Sequence, residues 1–393
     1  IQVNINMLQI DHIYEFFYEN LFKDFIMISA PGGIFPKNFI ESLRVHTEES
    51  NNDSINVYLQ TDEVKKISTT LKQRAEDISE PNTYSHNSIL FYDQEPVNQT
   101  ELLPFVDTLS YPPQHQATIV TSEKSQDANI WPQRKINILY YFFHGFAALD
   151  WYRGYYAMNY TQPVIKDYKY NFITFNRIVT GDRAYRKTFV DKLKENNLTN
   201  QGLISYGVVD EPETDDRLVI DQSQVSASAS ADILRTIDSN SCPDYSAFWH
   251  IVTETVFYYD KLHLTEKIFK PIVSKQPFML LAAPGNLEYL RSYGFKTFDG
   301  IIDESYDTIK DNDARIDSVV AQMKWYCNLS QEEKSRVIER LAPIVEYNFQ
   351  HFYGKFKEII TDELLDNTKT LFHNLKYDDS HIDYATVRKL LTS

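Results

Sequence analysis

HLTEKIFKPIVSKQPFMLLAAPG, residues 263–285, reads as a helix start, a short amphipathic helix and a buried strand. Thr265 is the expected N-cap, Glu266 and Lys267 fall in the first turn, and Ile268, Ile272 and Val273 make one apolar face. Pro277 stops the helix. Phe278 to Ala282 follow as a fully buried strand that ends in the turn Ala283-Pro284-Gly285. A helix start offers free backbone N–H groups and the positive end of its dipole, which suits a diphosphate. Lys267 adds a mobile cation there, and Glu266 can hold ribose hydroxyls. The plainer alternative is a dipole-favoured acid beside a solvated lysine.

The residues upstream repeat the strand-then-helix pattern. Phe248 to Thr253 reads as a strand with Glu254 at its end, where the carboxylate can bond a nucleotide or sugar hydroxyl or act as a cap. Tyr170 to Phe175 reads as a strand ending at Asn176-Arg177, followed by a helix opened by Arg183 and Arg186 and running to Glu195. Guanidinium forks bind phosphate oxygens in pairs and stay charged. A solvated helix start would more often carry acids, so this arginine group reads as an anion site. Gly202 to Gly207 is a further strand. Residues 210–240 are acidic, then Ser/Ala-rich, and read as a loop or insertion. Downstream, Leu287 to Tyr293 and Ser318 to Tyr353 read as helical, and the tail to Ser393 as amphipathic helices.

In the first half, Phe25 to Ser29 is a strand, Ala30-Pro31-Gly32-Gly33 a turn, and residues 36–45 a helix. Residues 55–59 and 62–75 read as a strand and a surface helix. Ser88 to Tyr92 is a strand that delivers Asp93-Gln94-Glu95-Pro96 at its carboxyl end, where open α/β sheets place ligand-facing groups. Glu95 or Asp93 there is a candidate general base; an acidic surface loop is the alternative. Ala117 to Thr121 and Ile136 to Phe143 are further strands, the second leading to His144 and Gly145 at the rim of a cleft. Trp151, Tyr152, Tyr155 and Tyr156 read as packing aromatics in preference to a sugar-stacking platform. Gln162 to Asp167 is the expected crossing between domains.

At 393 residues, with 42% hydrophobic residues, the chain has room for two domains of ordinary size. Its net charge of −16 argues against nucleic acid or an anionic membrane as the main partner. Cys242 and Cys327 make no disulfide scaffold, which points to a reducing compartment. No apolar run approaches the ~20 residues that span a bilayer, and no signal-peptide pattern is visible. The expectation is a soluble, cytoplasmic protein with no membrane anchor in this chain. No Asp-x-Asp motif sits at a strand end, since Asp215-Asp216 falls in the acidic insertion, so no metal is required.

Residues 263–285 resemble the donor-binding stretch of the α-1,3/1,4-fucosyltransferases, glycosyltransferase family 10. The family pattern is an aromatic, two residues, Glu-Lys, a helix, then a strand. The resemblance makes Glu266 the ribose ligand and Lys267 the diphosphate ligand of GDP-fucose, with Thr265 beside them. The aromatic that packs by the guanine falls on His263, a departure from the pattern. Asn176 and, after six intervening residues, Arg183 resemble the family's Ser-Asn…Arg element, whose arginine contacts the donor phosphates; Arg186 is the fallback. Gln94-Glu95-Pro96 and Ser110-Tyr111 resemble the segment holding the family's proposed base. The Asp-Gln-Glu-Pro and Thr-Glu-Lys motifs are also similar to those of glycosyltransferase-like proteins of phages and marine microbes.

Strand–helix alternation implies an α/β fold. The resemblance implies GT-B architecture: two facing Rossmann-like domains, residues 1–165 on the acceptor side and 166–345 binding the nucleotide sugar, with a helical tail over 346–393. It also implies an inverting, metal-independent glycosyltransferase moving fucose from GDP-fucose to a glycan hydroxyl, with no cofactor beyond the donor. The alternatives are the same fold with another nucleotide sugar, or a non-catalytic carbohydrate- or nucleotide-binding module.

Overall fold

The computed structural model of the chain describes residues 12–13, 16–21, 26–29, 87–92, 116–124, 136–156, 168–176, 178–206 and 246–393. The elements expected at 36–45, 55–59 and 62–75, the Asp93–Pro96 segment, the crossing at 162–167 and the insertion at 210–240 lie outside them. The chain divides into two compact units, one of residues 1–146 with 358–393 and one of residues 147–357. Among the described residues the fold is mixed α/β with two parallel sheets, compatible with a Rossmann-like fold. None of the described helices is long and apolar enough to cross a membrane.

The first unit holds a four-stranded parallel sheet in the order β1 (Ile26–Ser29), β2 (Asn87–Tyr92), β3 (Gln116–Thr121), β4 (Ile136–Tyr140). Ile119, Val120 and Leu139 are fully buried, as a covered parallel sheet requires. Pairing of β3 with β4 ends at Thr121 and Tyr140, and helix α1 (Phe143–Trp151) starts three residues later. The apolar run Ile136 to Phe143 is therefore a shorter strand plus the entry to a helix. His144 does not line a strand-end cleft: it lies in the first turn of α1, buried and edge-on to Phe143 at 5.2 Å. The last residues of the chain belong to this unit. In α7 (Phe356–Leu375) Asn367 donates to the carbonyl of Tyr140 at 3.0 Å, and Arg388 of α8 (Tyr384–Thr392) forks onto Asp362 at 2.5 and 3.0 Å.

The second unit holds β5 (Tyr170–Asn176), β6 (Gly202–Tyr206), β7 (Ala247–Thr253) and β8 (Phe278–Leu281), all parallel, in the order β6-β5-β7-β8. All seven residues of β7 and all four of β8 are buried. Gly202 is paired with Phe172, whose ring lies where a Cβ would stand, 2.3 Å from it, so a side chain there would push into a fully buried ring. Helix α2 (Tyr185–Glu195) links β5 to β6 and turns Tyr185, Arg186, Phe189, Val190 and Leu193 inward. The stretch from Thr265 forms a 3-10 turn (Glu266–Ile268) continuing into α3 (Phe269–Val273), then β8 and α4 (Asn286–Ser292).

Helices α5 (Asn312–Cys327) and α6 (Gln331–Tyr353) complete the unit. The helical region read over 318–353 is two helices, because Ser330 and Glu333 form a reciprocal capping box that starts α6 afresh. Phe269 packs on Phe352 at 5.4 Å and on Phe356 at 5.1 Å, which fixes α3 beneath the site. Tyr156 stacks on Phe349 at 5.8 Å, in keeping with the packing reading of that aromatic group.

Candidate functional site

In the second unit the chain leaves β5 toward β6 on one side and reaches β7 and β8 on the other. The reversal lies between β5 and β7, and open parallel sheets bind ligands at the carboxyl ends of the strands flanking such a point. Asn176 ends β5, Thr253 ends β7, and Glu254 is the next residue. Every described site residue read from the sequence belongs to the segments that leave these two ends. Arg177, Asp93 and Glu95 lie outside the described residues.

Glu254 is fully buried. Its Oε1 accepts from the N–H of Thr265 at 3.2 Å, and its Oε2 accepts from the Thr265 hydroxyl at 2.6 Å and the N–H of Thr255 at 3.3 Å. Burial pushes its carboxyl above the ordinary range, opposed by the charge of Lys267 and by the Thr265 bonds. Thr265 caps the 3-10 turn as the sequence suggests, its hydroxyl accepting from the Lys267 N–H at 3.4 Å. The Lys267 ammonium donates to Thr265 Oγ1 at 3.0 Å, Thr255 Oγ1 at 3.3 Å and Glu266 Oε1 at 3.2 Å. About a third of the Lys267 side chain is exposed (36%) and Glu266 is half-buried, so both can meet a ligand.

The arginines divide into two roles. Arg186 is buried, and its fork donates to the carbonyls of Ile178 at 3.1 Å, Thr253 at 2.9 Å and Glu254 at 3.2 Å. It braces the two strand ends. Arg183 ends the 3-10 turn Gly181–Arg183, half-buried, and its side chain makes no hydrogen bond or ion pair with the described residues. No carboxylate among the described residues forms an ion pair with Arg186 either, although Asp182, Glu254 and Glu266 lie in the same segments. Asn176 faces inward: it is fully buried, its amide donating to Thr174 Oγ1 and its carbonyl accepting from the Thr253 hydroxyl at 3.0 Å. It holds the two strands together.

His263 is also fully buried, and its backbone N–H is held by Asn286 at 3.0 Å. The exposed rings on the same loop are Tyr258 (39%) and Tyr259 (52%), the latter donating to Asp182 Oδ1 at 3.2 Å. These two, together with Tyr185 and Thr255, are contributors that residue patterns did not single out. Tyr185 is buried, its ring stacked on Phe257, and its hydroxyl donates to the Glu254 carbonyl in a short bond. Burial pushes that phenol up to about 12, so it remains a donor at neutral pH. The only signal for Tyr185 was its place between two arginines; Thr255 carried none. No group of three metal-ligating side chains occurs among the described residues.

No protein-family model matches the chain, and no curated protein matches it significantly.

Proposed function

We propose that the second unit binds the diphosphate of a nucleotide sugar and that the protein is an inverting glycosyltransferase of GT-B architecture. The observation that carries the reading is the set of cations at the carboxyl ends of β5 and β7: Arg183 and Arg186, which form no ion pair with a described carboxylate, and the partly exposed Lys267. In this reading Lys267 and Arg183 hold the diphosphate, Arg186 supplies charge from below, and Glu266 bonds the ribose. GDP-fucose is the donor that the resemblance in residues 263–285 favours, and a glycan hydroxyl is the acceptor.

The reaction follows from those roles. Glu95, with Asp93 as its alternate, takes the proton of the acceptor hydroxyl as that oxygen attacks the anomeric carbon. The bond from that carbon to the β-phosphate oxygen breaks, and the nucleoside diphosphate leaves with the electron pair. Lys267 and Arg183 stabilise the added charge. The test is release of GDP from GDP-fucose in the presence of a mixed glycan pool. Turnover by the parent and loss of at least about 100-fold in Glu95→Gln are expected. Equal turnover in parent, Glu95→Gln and Asp93→Asn rules out the assigned base.

One observation favours the second reading, the same fold with another nucleotide sugar. His263, at the family's base-packing position, is fully buried, and the exposed rings nearby are Tyr258 and Tyr259. A base stacked on those rings need not be guanine. Turnover of a UDP-sugar alone would select this reading.

A further inference from the structure

Of the two readings of Glu254, a contact to the nucleotide or sugar and a cap, the structure favours one nearer the second: it is fully buried and its two oxygens are occupied by Thr265 and Thr255. Thr265 and Thr255 are also the two hydroxyls that receive the Lys267 ammonium. The carboxylate thus reaches the lysine through one intervening residue on each side. Its other charged and titratable neighbours among the described residues are few. Glu266 adds a like charge from the 3-10 turn, while Tyr185 and Arg186 of α2 bond its backbone carbonyl and leave the carboxylate to the threonines.

We infer that Glu254 is a positioning residue that fixes Lys267 through Thr265 and Thr255, and that binding of a nucleotide-diphosphate sugar draws a proton onto its carboxyl group. The inference rests on the proposed diphosphate role of Lys267. Burial disfavours the ionised carboxyl, and the nearby ammonium offsets part of that penalty. A diphosphate that pairs with the ammonium removes the offset and adds negative charge of its own. Proton uptake at Glu254 follows. The diphosphate of a nucleotide sugar is a diester without an ionisation near neutral pH, so the proton has no competing destination on the ligand.

Two measurements on the full chain test this. In ligand-free protein, Glu254→Gln has one side-chain oxygen where the parent has two, so the N–H of either Thr265 or Thr255 loses its acceptor. Hydrogen exchange at Thr255 or over residues 263–268 is expected to be faster than in the parent, and unchanged exchange at both would overturn the positioning role. The second is calorimetric titration with GDP-fucose in buffers of low and high ionisation enthalpy across neutral pH. The parent is expected to take up a fraction of a proton. Glu254→Gln should take up none and bind about tenfold more weakly. Thr265→Val should weaken binding similarly, with Thr265→Ser restoring it. Glu254→Gln added to Lys267→Ala should cause no further loss, since the first acts through the second. Unchanged proton uptake in Glu254→Gln, or fully additive losses, overturns the inference. If the parent binds no GDP-fucose while exchange still responds to Glu254→Gln, the diphosphate reading fails and the positioning of Lys267 stands.

Discussion

The ring of Tyr185 lies flat on that of Phe257, with centroids 4.0 Å apart and planes 12° from parallel. Arg315 covers the other side of Phe257 at 4.1 Å and donates to the carbonyls of Ile309 and Phe257. This stack joins the start of α2, the loop after β7 and the start of α5. It holds the backbone of Glu254 from below, through the Tyr185 hydroxyl, while Thr265 and Thr255 hold its side chain. A buried carboxylate can keep one position only when the chain on both sides of it is fixed.

Tyr185→Phe removes one buried hydrogen bond and keeps the stack. The Glu254 carbonyl retains Arg186 as a donor. A loss of about 1 kcal/mol in urea unfolding is expected. No loss would mean that the hydroxyl is replaced by water at no cost.

Arg183 and Arg186 should separate binding from stability. Arg183→Ala touches no described partner and is expected to change stability by less than about 0.5 kcal/mol. It should weaken nucleotide-diphosphate binding about tenfold. Arg186→Ala takes a donor from the carbonyls of Ile178 and Thr253, while that of Glu254 keeps the Tyr185 hydroxyl, and should cost at least about 2 kcal/mol. Paired melting and binding curves check both. The reverse pattern would exchange the two roles.

His351 gives a stability change of known sign. Its Nε2–H donates to the Tyr293 carbonyl at 2.7 Å, in a space that Gly294 leaves open, since a Cβ there would lie 2.8 Å from the ring. Burial pulls the imidazole below its ordinary value of 6.5, with the bond to Tyr293 opposing. In the window between the folded and unfolded values the unfolded chain binds the extra proton. The contribution is therefore complete above the unfolded value and is lost as pH falls through the folded one. Glu254, Glu304 and Asp307 work the other way, because burial raises each carboxyl and stability falls as pH rises past the unfolded value. The His351 share is isolated by comparing urea midpoints of the parent and His351→Gln from about pH 7.5 to about pH 5.5. The parent is expected to lose more on acidification.

The sheet of the second unit was legible because β7 and β8 are apolar runs bounded by polar turns, the mark of strands covered on both faces. Thr265 as a cap, and Ile268 with Ile272 as an inward face, were legible from spacing alone. The run Ile136 to Phe143 was not, because a buried strand and the entry to a buried helix carry the same apolar signal. Arg186 could have been read as inward, since Phe189, Val190 and Leu193 follow it on one helical stripe. Its partners could not, because they are carbonyls of two other segments. The bond from Thr265 to Glu254 closes an eleven-residue loop that no local pattern encodes. Asn176 turned inward because its partner is Thr253, across the sheet.

The most direct test is thermal unfolding with GDP, UDP, CMP, ADP and GDP-fucose added singly. A ligand that binds only the folded protein raises the melting temperature by mass action. A saturable rise with GDP and GDP-fucose that is lost in Lys267→Ala is the expected result. No rise with any nucleotide, in a sample that unfolds cooperatively, would contradict the diphosphate site at Lys267 and Arg183.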